Sequence, residues 1–364
     1  MARRGRNIYK RNDGRWEGRY LLNGKYKSVY GHSHAEAKAK LEAYLTQQGS
    51  QKEKIFHKSG QAVLWSAVCA EWLDQKKLCL KQSSFAQYTC IMRKHILPHW
   101  GQQNINALTN AGINNFAKAL SERLSGKTVR DILGVFLQVV RFSEKKHGVH
   151  IDLDEISRPK VQQGNLPVLS PDEQQKLSGY LRANPSRLHM GILLLLYTGI
   201  RIGELCALTW ADIDLKAQMI TINKTIQRIQ NTDPALTKKT KVIIDTPKSR
   251  NSVRKVPIPS FLMKQLVSIS NTSNSYVLTG KSKPMEPRLF QTKFKQALKN
   301  AGIAQTNAHA LRHTFATRAI EQNIDVKSLC EILGHATVKF TLERYVHSST
   351  ELKRSGMERL AVYL

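Results

Sequence analysis

Two histidines and an arginine share one short segment near the C-terminal end, where His309, Arg312 and His313 follow the pattern H-x-x-R-H. On a helix, residues four apart lie on the same face, so the two histidines would be neighbours. Paired histidines can bind zinc, but no third ligand lies nearby and an arginine stands between them. A guanidinium binds two phosphate oxygens at once and keeps its charge. The pattern therefore favours a phosphate group over a metal ion.

Cleavage of a phosphodiester requires a nucleophile, compensation of charge on the phosphate oxygens, and a proton for the leaving hydroxyl. Metal ions supply these through clustered carboxylates, but the acidic residues of this chain are sparse and scattered. The five cysteines form no C-x-x-C pair, which disfavours both a disulfide framework and a zinc ribbon. We therefore expect no metal and no cofactor, with cationic side chains supplying the charge.

The charge balance points to a polyanionic partner. The 364 residues include 57 lysines and arginines against 27 aspartates and glutamates, a formal net charge of +30. The basic excess runs along the whole chain, which favours nucleic acid over a membrane surface. The longest apolar run, residues 192–196, is too short to cross a bilayer, and the N-terminus MARRGR has no apolar stretch behind it. We expect a cytoplasmic protein without membrane contact.

The N-terminal residues predict a small sheet. Two turn dipeptides, Asp13-Gly14 and Asn23-Gly24, separate three short stretches rich in aromatic and β-branched residues. An S-x-x-E capping box at Ser33 predicts a following helix. Nine basic residues against two acidic ones occur up to Lys27, so we predict that the sheet binds DNA. The candidate contacts are Arg15, Arg19, Lys25 and Lys27.

The rest of the chain divides into two further segments. Polar residues 48–60 predict a linker, and residues 61–149 carry helical patterns, one of which we expect Pro98 to end. A second polar connector follows, and the C-terminal segment mixes helices with strands near residues 218–226 and 253–258. The sequence thus predicts a multidomain α+β protein. Its domains are 1–58, a three-stranded sheet plus helix; 59–158, all-helical; and 165–364, mainly helical with a small antiparallel sheet.

Three motifs in the last segment resemble the boxes of the tyrosine recombinases. They are T-G-I-R-I-G-E-L from Thr198, H-A-L-R-H-T-F-A-T from His309, and L-G-H-A-T-V-K-F-T-L-E-R-Y from Leu333. Further upstream, H-I-L-P-H-W-G from His95 and I-N-A-L-T from Ile105 are similar to the helical core-binding domain of phage-type integrases. The first sixty residues resemble, by pattern, the arm-site-binding domain of integrases from temperate phages and conjugative transposons.

The resemblance assigns roles residue by residue. Arg201 and Arg312 correspond to the two arginines that bind the scissile phosphate, and Glu204 lies one turn after Arg201, where it can orient it. His309 corresponds to a proton acceptor or hydrogen-bond donor near the nucleophile, and His335 to a hydrogen-bond donor to a phosphate oxygen.

Two further catalytic residues follow from the same resemblance. Lys248, in T-P-K-S-R-N-S-V-R-K-V-P, corresponds to the lysine that protonates the departing 5′-oxygen, although other lysines crowd this region. Tyr345 corresponds to the nucleophile, whose hydroxyl needs neighbouring cations and a base because its ordinary pKa is near 10. Arg250 and Arg254, in the same stretch as the lysine, are candidate DNA contacts.

The implied function is site-specific recombination, which integrates or excises a mobile element or viral genome through a 3′-phosphotyrosine and a Holliday junction. The implied partners are core and arm attachment sites in double-stranded DNA and three further copies of the chain in a homotetramer, with an excisionase and a DNA-bending protein as candidate accessory factors in the bacterial host. Three alternatives stay open: a resolvase, a type IB topoisomerase-like enzyme with the same chemistry, and a non-catalytic architectural or regulatory DNA-binding protein.

Overall fold

The computed structural model describes residues 8–11, 13–22, 25–43, 63–148, 152, 155–161, 167–232, 238–247, 249–335, 337–345, 354 and 357. By their contacts, the residues divide into two compact units, Met1–Val161 and Gln162–Leu364. Within the described ranges, no helix combines the length and apolarity needed to span a membrane.

The first unit begins with an antiparallel sheet in the order β1-β2-β3, formed by Ile8–Lys10, Trp16–Leu22 and Lys25–Gly31. Helix α1, residues 34–43, follows, and the Ser33 hydroxyl accepts a hydrogen bond from the Glu36 amide at 3.1 Å. A side chain at Gly18 would contact Leu41 of α1, so the helix packs against this face of the sheet. The predicted sheet and helix are confirmed.

The helices described in the rest of the first unit follow the sheet and α1 in the chain. They are α2 Trp65–Cys79, α3 Gln82–Ile91, α4 Leu97–Trp100, α5 Asn110–Ser121 and α6 Gly126–His147. Their core is aromatic: Trp65 and Phe136 are fully buried, and Trp100 stacks on Phe136 with ring centroids 5.4 Å apart. Burying such large rings supplies much of the apolar stabilisation of a small bundle.

Pro98 does not end a helix, so this expectation was wrong. After α3 the backbone makes one π-helical stretch, Met92–Ile96, and continues directly into α4. Pro98 occupies the first turn of α4. In the π-helical stretch the hydrogen bonds run five residues back, as from the Leu97 N–H to the Met92 carbonyl, and this local change of pattern lets the helical path continue through a residue that has no N–H to donate.

The second unit is mainly helical. Its helices are α7 Pro171–Ala183, α8 Arg187–Thr198, α9 Ile202–Ala207, α10 Ser260–Ser268, α11 Pro287–Asn300, α12 His309–Glu321, α13 Val326–Leu333 and α14 Val338–Tyr345. Every residue of α8 from Met190 to Leu196 is buried. This unbroken burial explains why its sequence lacks an amphipathic pattern.

Two small antiparallel sheets complete the second unit. One has the order β4-β5-β8, formed by Ile213–Asp214, Met219–Ile222 and Arg254–Pro257, and the other pairs β6, Thr225–Gln230, with β7, Thr240–Asp245. The stretch between β7 and β8 contains Lys248, which lies outside the described residues. The predicted fold class, mainly helical with small antiparallel sheets, is confirmed.

Candidate active site and DNA-binding face

The turn between α8 and α9 places the first arginine. Helix α8 ends at Thr198 and is capped by Gly199, whose φ of +64° is a left-handed conformation that favours glycine. A Cβ atom at Gly199 would lie 2.4 Å from the Phe315 ring, so only glycine fits. Two residues later, Arg201 precedes the first turn of α9, and its backbone N–H donates to Glu204 Oε2 at 2.8 Å.

Arg201 is anchored on one side and open on the other. Its Nη1 donates to Glu204 Oε1 at 2.8 Å, and its Nη2 donates to the carbonyl of Gly334 at 3.2 Å. About a third of its side chain, 35%, remains exposed. An oriented guanidinium with an open side suits an oxyanion approaching from solvent.

Glu204 binds a second arginine, Arg254 of β8. Arg254 donates from Nη1 to Glu204 Oε1 at 3.1 Å and from Nη2 to Oε2 at 2.9 Å, and from Nε to the carbonyl of Ile332 at 2.5 Å. Burial raises the pKa of Glu204, but the hydrogen bonds and charges of Arg254, together with the charge of Arg201, outweigh it and hold the pKa below its ordinary value. The carboxylate therefore stays ionised between two cations.

Arg254 was predicted to contact DNA, and the structure places it elsewhere. Its side chain is 6% exposed, and its guanidinium is held by Glu204 and by backbone carbonyls. The geometry supports a positioning role: Arg254 fixes the carboxylate that orients Arg201. The sequence could not show this, because the two residues are fifty positions apart.

Arg312 of α12 is the buried arginine, with 2% of its surface exposed. Its Nη1 donates to the Gly199 carbonyl at 2.7 Å and its Nη2 to the Leu333 carbonyl at 2.7 Å. Burial and the nearby charge of Arg201 lower its pKa to about 9, despite an opposing effect of Glu204. Arg312 stays cationic at neutral pH, and an anionic ligand would compensate the cost of burying that charge.

His335 follows the end of α13, where Gly334 has a φ of +64°. Its Nε2 lies 2.9 Å from Arg312 Nη2, and its Nδ1 lies 2.8 Å from the Thr341 hydroxyl. Because a guanidinium only donates, Nε2 is the acceptor, and the ring proton of a neutral His335 is on Nδ1, which donates to Thr341. His335 is thus fixed beside Arg312.

Tyr345 is the last residue of α14 and is 5% exposed. Its ring lies parallel to that of His335, with centroids 6.2 Å apart and an interplanar angle of 2°. Its hydroxyl lies 2.8 Å from Nδ1 of His313, a buried residue. The structure therefore brings Arg201, Arg312, His335 and Tyr345 together.

His309, on the first turn of α12, is exposed, and its ring lies 4.5 Å from that of His313. His313, which received no role from the sequence, is the histidine that contacts the tyrosine oxygen. The i, i+4 spacing to His309 was the available signal, but it was weighed only for a metal ion. Among the described residues, no group of three or more histidines, cysteines or carboxylates is placed to hold a metal.

The face of the N-terminal sheet opposite α1 is basic and aromatic; we call it the open face. The strand register puts Tyr9, Glu17 and Tyr30 side by side on it. Glu17 is only 2% exposed, because Arg11 and Arg19 lie over it at 3.1 and 2.9 Å. A hydrogen bond from Ser28 and then one from Arg19 lower the pKa of Glu17 to about 2.

Of the predicted DNA contacts, Arg15 and Arg19 lie on the open face and are about half exposed, at 53% and 50%. They also lie over Tyr30 and Tyr9, 5.5 and 5.1 Å from the ring centroids.

Lys27 pairs with Tyr20 in the register and so belongs to the opposite face, which α1 packs against. The grouping of Lys27 with Arg15 and Arg19 was therefore wrong. The side chains of Lys25 and Arg250 lie outside the described residues.

Comparison with known proteins agrees with this architecture. Residues 167–351 match the sequence model of the Phage integrase family, and residues 66–121 match that of the phage integrase N-terminal SAM-like domain. A XerC-like tyrosine recombinase of Caldanaerobacter subterraneus is 26% identical, covering 93% of this chain and 92% of the relative. The ICEBs1 integrase of Bacillus subtilis is 24% identical, covering 89% and 88%.

Solved structures show the same fold. The Tn1549 transposon integrase in complex with transposon right end DNA is 21% identical with a TM-score of 0.65, covering 82% of this chain and all of that one. A lambda integrase dimer bound to a COC′ core site is 16% identical with a TM-score of 0.58, covering 95% and 97%. Because the family match spans half of the residues, this chain belongs to the Phage integrase family, the tyrosine recombinases that break and rejoin DNA.

Proposed function

We propose that this recombinase integrates and excises a mobile element, with Tyr345 as the nucleophile. The observation that carries the proposal is the cluster of an arginine and a histidine beside the tyrosine: Arg312 bonds to His335, and the His335 ring lies parallel to Tyr345. Tyrosine attack on a phosphodiester forms a 3′-phosphotyrosine and releases a 5′-hydroxyl. The covalent bond retains the energy of the phosphodiester, and reversal of the step rejoins the strand.

The two arginines divide the work of binding the phosphate. The exposed side of Arg201 binds the scissile phosphate as the DNA approaches from solvent. Arg312 supplies a second positive charge that is buried and fixed in place. Negative charge increases on the phosphate oxygens in the pentacoordinate transition state, so donors fixed in advance stabilise that state more than the ground state. His335 donates a further hydrogen bond to the phosphate from Nε2 when the ring proton moves to that nitrogen and Nδ1 accepts from the Thr341 hydroxyl instead.

Proton transfer to the departing 5′-oxygen belongs to Lys248 in this proposal. The family pattern places this lysine between β7 and β8, and β8 is attached to the residues that form the site, because it contributes Arg254, which binds Glu204. A lysine ammonium on a flexible stem suits a proton donor that must reach a leaving group.

The open face is the proposed arm-site surface. Its half-exposed arginines lie over tyrosine rings, and β-strands of this kind can enter a DNA groove. The three segments 1–58, 59–158 and 165–364 then act as arm-binding, core-binding and catalytic domains. The recombinase would assemble as a homotetramer on DNA in the cytoplasm of a bacterial host, with an excisionase and a DNA-bending protein as accessory factors.

Recombination between plasmids tests the proposal. One plasmid carries the joined ends of the element that encodes this chain, and the other carries its empty insertion site. We expect recombinant plasmids with the wild-type protein and none with Tyr345→Phe. Relaxation of supercoils without recombinants would indicate a topoisomerase instead, and binding without either product would indicate a regulatory protein.

A further inference from the structure

His313 is the residue of the H-x-x-R-H segment that the proposed function leaves without a role. It follows Arg312 on α12 and is 3% exposed, so it cannot act as a solvated surface histidine. Its Nδ1 lies 2.8 Å from the hydroxyl oxygen of Tyr345, a hydrogen-bond distance. The oxygen that attacks phosphorus is therefore in direct contact with an imidazole nitrogen.

Deprotonation of the Tyr345 hydroxyl requires a proton acceptor within hydrogen-bond distance. A phenol with an ordinary pKa near 10 is almost fully protonated at neutral pH, and its proton must leave as the oxygen bonds to phosphorus. A neutral imidazole with an unprotonated Nδ1 accepts that proton at the observed distance. His309, which the family pattern puts near the nucleophile, has its ring 4.5 Å from that of His313 and is exposed.

We propose that His313 is a catalytic residue that accepts the phenolic proton of Tyr345; this inference rests on the proposed function. As the Tyr345 oxygen forms its bond to phosphorus, the bond from phosphorus to the 5′-oxygen breaks. The phenolic proton passes to His313 Nδ1, which becomes an imidazolium, and the 5′-oxygen takes a proton from the general acid. In the rejoining step the imidazolium returns its proton to the departing tyrosine.

The location of His313 supports this role. Arg312 bonds to His335, whose ring lies parallel to that of Tyr345, so the acceptor, the nucleophile and the phosphate-binding cation form one cluster. The T-shaped contact with His309 gives the His313 ring a second neighbour that fixes its plane. His309, the exposed member of this pair, can then act as a hydrogen-bond donor to the phosphate.

The variant His313→Asn separates proton transfer from packing. Asparagine keeps an oxygen near the position of Nδ1 but cannot take up a proton at neutral pH. On a nicked suicide duplex that spans the core site, we expect formation of the covalent adduct to slow about 10²- to 10⁴-fold. Thermal unfolding and binding of the same duplex should remain as in the wild type.

Site-specific replacement of Tyr345 by 3,5-difluorotyrosine, whose hydroxyl ionises more readily, supplies a second test. It should change the rate of adduct formation only if His313 takes part in proton transfer, and not if His313 serves only in packing. We expect this replacement to recover at least tenfold of the rate lost in His313→Asn. It should recover none of the rate lost in Arg312→Lys, where the missing interaction is with the phosphate. His309→Asn is the matched control and should not be rescued either.

The outcomes separate the two proposals. Adduct formation at the wild-type rate in His313→Asn, or rescue of His309→Asn instead, would overturn the role of His313 and leave the recombinase function intact. No adduct from the wild-type chain would overturn both. Should His313→Asn not fold, the ¹⁵N resonance of His313 Nδ1 in the wild-type chain provides the test: it should shift in Tyr345→Phe, and an unchanged resonance would contradict the contact.

Discussion

Glu204 is the side chain on which the orientation of Arg201 depends. It is 3% exposed and holds Arg201 at 2.8 Å and Arg254 at 2.9 and 3.1 Å. A buried carboxylate between two guanidiniums is stable only while both partners are present, because a buried charge that loses a partner keeps its cost of desolvation. The orientation of Arg201 therefore depends on Arg254 as well as on Glu204.

Replacement of Arg254 tests this dependence. We expect Arg254→Met to lower the free energy of unfolding by about 3 kcal/mol at pH 7, because it leaves Glu204 with one cation. Cleavage should fall much more than DNA affinity, since Arg201 loses its fixed orientation. Equal losses of affinity and cleavage would show that Arg254 contacts DNA after all.

The pH dependence of that stability difference has a defined sign. Glu204 has a folded pKa below its unfolded value of 4.5, so the ion pairs stabilise the fold above that pH and lose their effect as the pH falls. The difference between wild type and Arg254→Met, measured by urea denaturation, should therefore be smaller at pH 4 than at pH 7. A difference that grows at pH 4 would contradict the ion-pair account.

At the scale of single residues, the motifs predicted the arginines and the tyrosine as site residues, and these assignments stay predictions. The sequence did not identify what holds them. Arg254 reaches Glu204 from fifty residues away, and His313 reaches Tyr345 across thirty-two, so both contacts arise only when α12, α14 and β8 are packed together. Lys27 was placed wrongly because its face depends on the strand register, which composition does not reveal.

At the scale of elements, the helix ends hold the site together. The carbonyls of Gly199, Leu333 and Gly334, at the ends of α8 and α13, accept hydrogen bonds from Arg312 and Arg201. Terminal carbonyls of a helix lack intrahelical donors, so they can bind a guanidinium. The sequence predicted the buried helix α8, but the use of its last turn as an arginine acceptor requires the tertiary fold.

Gly199→Ala should lower both the stability of the fold and the rate of DNA cleavage. The left-handed φ and the 2.4 Å approach to Phe315 leave no room for a methyl group, so we expect a loss of more than about 2 kcal/mol in stability. Cleavage should fall further, because the Gly199 carbonyl positions Arg312. Gly134→Ala is the matched control: it lies exposed within α6 with open space around it and should stabilise the protein by up to about 1 kcal/mol. Equal effects of the two variants would contradict this prediction.

On the N-terminal sheet, Glu17 holds Arg11 and Arg19 in place. Glu17→Gln removes a negative charge from the open face, so we expect affinity for random duplex DNA to rise. Affinity for arm sites should rise less or fall, since the two arginines are no longer fixed in orientation. The ratio of the two dissociation constants, measured at one salt concentration, checks this; an unchanged ratio would show that the orientation of these arginines does not matter for recognition.

At the scale of the whole molecule, the net charge of +30 fits a protein that binds DNA over a long surface. The sequence predicted the succession of a sheet, helices and a mixed segment, because the hydrophobic period changes where they meet. The contacts divide the chain at Val161, and the separation of residues 1–58 from the helices stays a prediction.

Removal of the N-terminal segment tests that separation. A chain that begins at Ser59 should still form the tyrosine adduct on a core-site duplex but fail to recombine full attachment sites. The log-log dependence of its DNA affinity on salt should be shallower by about 0.9 for each DNA phosphate that the removed segment neutralises. Recombination of full sites at the wild-type rate would refute the arm-binding role and favour a simpler resolvase.

The central claim is that Tyr345 attacks the scissile phosphate with cationic side chains, not metal ions, stabilising the transition state. The most direct measurement incubates the protein with a nicked suicide duplex carrying its core site, in EDTA, and identifies the residue bonded to DNA by mass spectrometry of the digested adduct. We predict a 3′-phosphotyrosine at Tyr345, a free 5′-hydroxyl on the released strand, and no adduct with Tyr345→Phe. An absolute requirement for Mg²⁺, or an adduct that persists in Tyr345→Phe, would contradict the claim.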